Sequence, residues 1–178
     1  MTFLSAARPC QTGTPSLTAI SYGDPEARRL TRALHAEQVA VYGFADDPDD
    51  TPAGHFVLPQ GLFVIARCDD SPEAVGCGGW RLLSSDTAEI KRMYVTQAGR
   101  GRGIGRRILE HLESQAVSRG VNRMVLETGV RNEAALALYR SCGYQPCPSY
   151  VPGRDSRVNR AMVKSLSLST LTVNVQPQ

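Results

Sequence analysis

Apolar positions along this chain fall into two regimes. From Leu62 to Val95 they form short dense runs: Leu62 to Cys68 stops at Asp69-Asp70-Ser71-Pro72, Ala74 to Leu83 stops at Ser84-Ser85-Asp86, and Thr87 to Val95 follows. Runs of this length between turn formers predict strands, and such short connections predict an antiparallel meander. Beyond Arg100 the period lengthens. Ile104, Ile108, Leu109, Leu112 and Ala116 recur at helical spacing, and Gly120 stands where a C-terminal glycine cap belongs. Asn122 to Thr128 is predicted as a strand, and Asn132 to Cys142 as a helix with Asn132 near its N-cap and Gly143 past its end. Arg160 to Leu168 is predicted as a last strand.

Upstream, Leu17 to Tyr22 is expected to be a short strand. Asp24 followed by Pro25 reads as an N-cap with proline at the first helical position, opening a helix to about Tyr42 on the apolar positions Leu30, Leu34, Val39 and Val41. The segment Ala45 to Gly61, with Asp46, Asp47, Asp49, Asp50 and interspersed prolines, is expected to be a loop without regular structure. Residues 1–16 read as a flexible arm, 17–168 as one domain, and 169–178 as a tail. Thr170 to Val175 alternates polar and apolar residues, so the tail is either disordered or an edge strand, and such a strand could pair with a second copy in a homodimer.

Composition narrows the class. A chain of 178 residues, 42% hydrophobic and 21% charged, is ordinary for a globular domain. It lacks a membrane-length apolar run, and its N-terminus lacks the basic start and apolar core of a signal peptide, so neither membrane nor export is expected and the expected address is cytoplasmic. Cys10, Cys68, Cys77, Cys142 and Cys147 are scattered, odd in number and without a C-x-x-C pair. They are expected to be reduced thiols, with no disulfide framework and no metal site. The formal net charge of +3 is too small to imply a nucleic-acid partner. Of the twenty basic residues only Lys91 and Lys164 are lysines.

Candidate chemistry lies in Glu89-Ile90-Lys91-Arg92-Met93-Tyr94-Val95, a short loop, and then Arg100-Gly101-Arg102-Gly103-Ile104-Gly105 opening the strongest helix. A glycine-rich turn at a helix start presents backbone N–H groups and the positive end of the helix dipole, which favours a phosphate. No Gly-Lys pair exists for a P-loop, and the glycines lack the G-x-G-x-x-G spacing of a dinucleotide loop. An arginine-glycine RNA-binding segment would be long and repeated, whereas this one runs into an amphipathic helix.

The R-x-x-G-x-G pattern between strand and helix resembles the coenzyme A pyrophosphate loop of the GNAT N-acetyltransferase superfamily. Asn132-Glu133-Ala134-Ala135-Leu136-Ala137-Leu138-Tyr139, followed by Gly143-Tyr144, resembles that family's second signature. The likeness covers roughly residues 61–164, and the glycine-rich Gly76 to Arg81 with Glu89 to Arg92 is similar to bacterial members of small-molecule type. It implies an α/β fold: a mixed, strongly twisted sheet flanked by helices, with acetyl-CoA in the cleft between two splayed parallel strands. Backbone N–H groups of Arg100, Gly101, Arg102, Gly103, Ile104 and Gly105 would bind the pyrophosphate. Met93, Tyr94 and Val95 would pair with the pantetheine arm, Asn132 would hold the cofactor, and Tyr139 would sit by the sulfur.

An amine must be neutral to attack, and for a lysine-like amine at neutral pH this costs roughly 4 to 5 kcal/mol unassisted. By the resemblance Glu89 is the base, Tyr139 the acid that protonates the leaving thiolate, and a backbone N–H near Met93 to Val95 the oxyanion donor. The alternatives are an arginine partner for Glu89 and core packing for Tyr139. Cys142 is expected to pack, His111 to face solvent, and His55 receives no role. The acidic loop could attract a cationic amine, whereas Arg154, Arg157 and Arg160 could hold a carboxylate. A small amine or amino acid is the first expectation for the acceptor. A protein lysine or N-terminus is the alternative within the same chemistry, and a non-catalytic acyl-CoA sensor is the alternative outside it.

Overall fold

The computed structural model describes residues 14–69 and 72–166. Along the chain run β1 (Ser16–Ala19), α1 (Pro25–Tyr42), β2 (Gly61–Arg67), β3 (Ala74–Leu82), β4 (Thr87–Val95), α2 (Ile104–Val117), β5 (Arg123–Gly129), α3 (Glu133–Ser141), β6 (Gln145–Cys147) and β7 (Asn159–Ser165). The strands form one seven-stranded sheet in the order β1-β2-β3-β4-β5-β7-β6. β1 to β4 make the expected antiparallel meander. β4 and β5 pair in parallel with α2 as the crossover between them, and β7 runs antiparallel between β5 and β6.

Strand alternation divides the core into two layers. Leu62, Val64 and Ala66 of β2 join Trp80, Ile90 and Leu126 on the face covered by Ile104, Ile108, Leu109, Leu112 and Ala116 of α2. Phe63 and Ile65 point the other way, to Tyr22, Phe56, Cys77 and the α1 residues Ala27 and Leu30. With helices on both faces, β2 reads as a continuous apolar run. α1 starts as its sequence suggests: the Asp24 carboxylate accepts from the Glu26 N–H at 2.8 Å, Pro25 occupies the first turn, and left-handed Gly43 closes the helix.

Several expectations are corrected. The 45–61 segment contains two 3-10 turns, Pro48–Asp50 and Ala53–Phe56, and the second delivers Phe56 to the core. β6 escaped the sequence reading because it is three residues long and contains Pro146, a residue that edge strands tolerate. The first strand ends at Ala19, and the last spans Asn159–Ser165. Cys68 is disulfide-bonded, while Cys77, Cys142 and Cys147 are free thiols; a crosslink set by tertiary placement leaves no spacing signature. Most of the arm and the whole tail lie outside the described residues.

The central pair of strands does not stay paired. The β4–β5 ladder runs from Thr87↔Arg123 to Ile90↔Leu126 and stops, so the second half of β4 keeps β3 as its neighbour but has no β5 partner. At the same point β4 bulges, with two of its residues facing one of β3 between the Gly79↔Lys91 and Cys77↔Tyr94 pairs. Arg92 occupies the bulge at φ 57°, a left-handed conformation costly for a side chain. Its guanidinium compensates by donating to the carbonyls of Asp46 (3.0 Å) and Asp47 (3.1 Å) and to Thr51 Oγ1 (2.8 Å).

Leu112 is fully buried where α2 lies on the sheet. Leu112→Ala is expected to lower unfolding free energy by about 2–5 kcal/mol, measured in urea as a shifted midpoint with an unchanged slope.

Candidate active site

The parting of β4 from β5 opens a cleft whose two ends differ chemically. One end, about 370 Å³, is lined by Tyr94, Val95 and the loop glycines on one side and by Arg131, Ala134 and Leu138 on the other. The second, about 150 Å³, is lined by Asp46, Glu89, Lys91, Arg92, Glu127 and Arg154, with Phe44 and Val158 beside them. Met93, Asn132 and Tyr139 line both ends and therefore stand at their junction.

At the larger end, Gly101 and Gly103 have φ of 75° and 74°, which only glycine adopts cheaply. Gly103 is the N-cap of α2 and provides no side-chain cap. The first helical bond runs from Arg107 N–H to the Gly103 carbonyl at 3.0 Å, and among the described residues the N–H groups of Gly101 to Arg106 donate to no protein acceptor. A run of unpaired amides at a helix start is a ready anion site. Arg100 is directed elsewhere: its Nε donates to the Val95 carbonyl (3.1 Å), its NH2 to both Glu37 oxygens (2.9 and 2.6 Å), and its guanidinium lies 5.8 Å from the Tyr94 ring centre. The Tyr94 hydroxyl donates to the same carboxylate at 2.9 Å, and burial together with Glu37 pushes that phenol up to about 12. Arg102 is exposed and does not line the groove.

At the smaller end Glu89 is 1% exposed. Its Oε2 accepts from Arg81 Nε at 2.8 Å and lies 2.7 Å from Arg81 NH2, while Oε1 accepts from the Tyr150 hydroxyl at 3.0 Å and lies 3.6 Å from Lys91 Nζ. The arginine partner weighed from the sequence is thus real, and the carboxylate sits in the buried wall of the cleft. Arg154 reaches across from the segment after β6 to Asp46, donating through both terminal nitrogens, one at 3.0 Å. This pair holds the Asp46 carboxyl below its ordinary range.

At the junction Tyr139 is 6% exposed, and burial raises its phenol well above the ordinary tyrosine value, so it carries its proton throughout the neutral range. The Asn132 side-chain oxygen accepts from Ala135 N–H at 3.2 Å, capping α3. Across the cleft the C-terminus of α1 closes on the β5–α3 turn: the Tyr42 hydroxyl accepts from Arg131 N–H (3.0 Å), and Arg131 NH1 donates to the Val41 carbonyl (2.7 Å). Only glycine fits at 129, where a Cβ would lie 2.1 Å from the Tyr42 hydroxyl.

The structure therefore gathers Glu89, Met93, Tyr139, Asn132 and the glycine loop around one cleft. Arg154 joins them, whereas Arg157, 89% exposed at its side chain, pairs with Asp155, and Arg160 donates to the carbonyls of Ser156 and Asn159. The aspartates at 46, 47 and 49 are engaged within the protein, by Arg154, by the N–H of Asp49 and by Arg32. His111 is half-buried, which lowers its pKa, and His55 Nδ1 lies 3.1 Å from Arg81 NH1. Sequence reasoning missed Lys91, Glu127, Tyr42 and Tyr150. None of the four had a signal in the sequence: Lys91 and Glu127 are each the first residue beyond the parallel ladder on their strands, which only the fold defines, and the tyrosines come from distant segments.

A twisted mixed sheet whose central parallel strands part over an unpaired helix start defines the class of acyl-CoA-dependent N-acetyltransferases. The chain belongs to the acetyltransferase (GNAT) family, whose model matches residues 26–144. It is 41% identical over 112 residues to an IAA acetyltransferase of Azospirillum brasilense, covering 61% of this chain and 70% of that protein. Among solved structures it resembles a protein of Klebsiella pneumoniae assigned as an acyl-CoA N-acyltransferase, with TM-score 0.71 and 30% identity over 86% of this chain and 98% of that one. It shares its fold with a protein of Salmonella typhimurium assigned as an acetyltransferase and solved with its cofactor acetyl-CoA, at TM-score 0.61 and 19% identity over 85% and 95% of the two chains.

Removing one partner of a buried ion pair leaves an uncompensated charge. Arg81→Met is expected to cost about 3–5 kcal/mol in chemical denaturation, and Arg81→Met with Glu89→Leu to recover most of that loss.

Proposed function

We propose that the protein transfers the acetyl group of acetyl-CoA to the primary amine of a small acceptor, with both substrates held in the cleft at once. The run of amides from Gly101 to Arg106 without protein acceptors carries this reading, because it suits a pyrophosphate and lies at the end of an open strand edge. N–H groups of Gly101 to Gly105 hold the pyrophosphate, whereas the Arg100 N–H expected among them is already given to the Gln97 carbonyl at 3.3 Å. The β4 edge at Met93, Tyr94 and Val95, without a β5 partner, pairs with the pantetheine arm, and Asn132 turns its amide nitrogen to the cofactor while its oxygen caps α3. Support comes from the acetyl-CoA found with the Salmonella protein of the same fold.

At the other end Glu89 Oε1 takes a proton from the acceptor ammonium, with Arg81 balancing the buried charge on Oε2. The freed amine attacks the thioester carbonyl, whose developing oxyanion rests on a backbone N–H of Met93 to Val95. As the carbon–sulfur bond breaks, Tyr139 gives its phenolic proton to the sulfur, and the proton shed by the attacking nitrogen as the amide forms restores the phenol. Cys142 packs against the core and has no part in the reaction. The Arg154–Asp46 bridge spans the acceptor end, which favours a small amine over a polypeptide.

Calorimetric titration with acetyl-CoA and a thiol-reagent assay of coenzyme A release over a panel of amines test the reading. Tyr139→Phe and Glu89→Gln are each expected to lower kcat by about 10²–10⁴-fold while acetyl-CoA still binds. Gly103→Val, which forces a β-branched residue to positive φ, is expected to weaken acetyl-CoA binding. No binding by the parent protein overturns the proposal, and binding without release to any amine points to an acyl-CoA sensor.

A further inference from the structure

The acceptor end of the cleft is unbalanced in hydrogen-bonding capacity. Each carboxylate oxygen there already faces a donor. Both Asp46 oxygens take Arg154, and the Glu89 oxygens take Arg81 and Tyr150. Glu127 Oε1 accepts from the Ser149 hydroxyl at 3.1 Å, and its Oε2 forms an ion pair with Arg154 Nε at 3.2 Å, although that Nε, like the Arg92 one, makes no hydrogen bond among the described residues. The cations are not matched in the same way. Arg92 gives its terminal N–H groups to neutral oxygens, and its buried Nε has no hydrogen-bond partner among the described residues. Lys91 lines the pocket, and its ion-pair contact with Glu89 Oε1 is at 3.6 Å, beyond hydrogen-bonding distance. The pocket lining itself holds three cationic side chains (Lys91, Arg92, Arg154) and three carboxylates (Asp46, Glu89, Glu127), and Arg81, outside the lining, brings a fourth cation to Glu89. An ammonium offers three donors and no acceptor, so a ligand that completes this site must bring negatively charged oxygen.

Spacing narrows the ligand further. Glu89 Oε1 and Lys91 Nζ are neighbours, so an amine facing the first and an anion facing the second must also be neighbours in the acceptor. Resting on the transferase reading above, we propose that Lys91 holds the carboxylate of an α-amino acid whose amine faces Glu89. An α-amino acid carries both groups on one carbon. An ω-amino acid cannot present both there without folding back its chain, and a protein lysine side chain brings no carboxylate. Phe44, 57% exposed at the rim of the pocket, and Val158 offer an apolar wall for the side chain.

The isomers 2-aminohexanoate and 6-aminohexanoate, with pentylamine as the decarboxylated control, separate these cases. Coenzyme A release is measured at saturating acetyl-CoA for the parent protein, Lys91→Met and Lys91→Arg, with acetyl-CoA binding followed by calorimetry on each. The parent is expected to favour 2-aminohexanoate by about tenfold or more in kcat/KM, the worth of one charged hydrogen bond. Lys91→Met should raise KM for that substrate about tenfold with kcat within about twofold, raise KM for pentylamine by far less, and be largely rescued by Lys91→Arg. Equal or better use of either control, or a Lys91→Met loss shared by all three amines, overturns the proposal. Acetylation confined to amines without a carboxylate, such as lysine peptides, also overturns it while leaving the transferase reading intact. Absence of acetyl-CoA binding in the parent protein overturns the transferase reading itself, and the proposal with it.

Discussion

The parting of β4 from β5 after Ile90↔Leu126 is the constraint on which the rest of the molecule depends. Parallel strands ordinarily stay hydrogen-bonded along their length, because orphaned backbone groups are costly when buried. Here separation is imposed on β4 by a bulge at Arg92, whose left-handed backbone is held by hydrogen bonds to the 46–51 segment. The bulge turns the end of β4 toward the glycine loop and leaves one strand edge open to the cleft. An open strand edge therefore exists because one ladder was stopped, and the 46–51 segment helps to hold it stopped.

Local charge is managed with the same economy. The cleft buries Glu89 at a depth where an isolated charge would be prohibitive, and Glu89, the half-buried Glu127 and the more exposed Asp46 are each answered by arginine, tyrosine or serine from another segment. These pairs also tie the walls together. Arg154–Asp46 links the segment before β7 to the one after α1, and Glu37–Arg100 links α1 to the glycine loop. Exposed examples among them add little stability in themselves. Their consequence is positional, since each fixes the place of a loop that lines the cleft.

Glycine at 129 shows how close the approach is. The Tyr42 hydroxyl occupies the space a Cβ would take, and the same hydroxyl accepts from the Arg131 amide, so α1 closes on the β5–α3 turn over the junction of the two ends. Tyr139 stands beneath it, buried enough to keep its proton. Shielding and protonation thus have one cause, the exclusion of water from the junction.

The sequence by itself determined the elements whose signals are local. The dense apolar runs of β2 to β4, the helical period from Ile104 to Ala116, the Asp24-Pro25 start of α1 and the glycine loop at the α2 start all express steric and hydrogen-bonding rules that act within a few residues. The family resemblance, through its two signatures and the strand position of Glu89, brought Glu89, Asn132 and Tyr139 together, and the three line one cleft. Tertiary structure alone decided what those residues face. Arg81 and Tyr150 reach Glu89 from β3 and from the segment after β6, Arg154 neutralises Asp46 across the cleft, and Arg157 and Arg160 turn away. Lys91, unremarkable in the sequence, gains its meaning from standing just past the end of a ladder whose length no local rule predicts. Charges distant in sequence find partners only when the sheet brings them together, and that pairing decides which cations remain for a ligand.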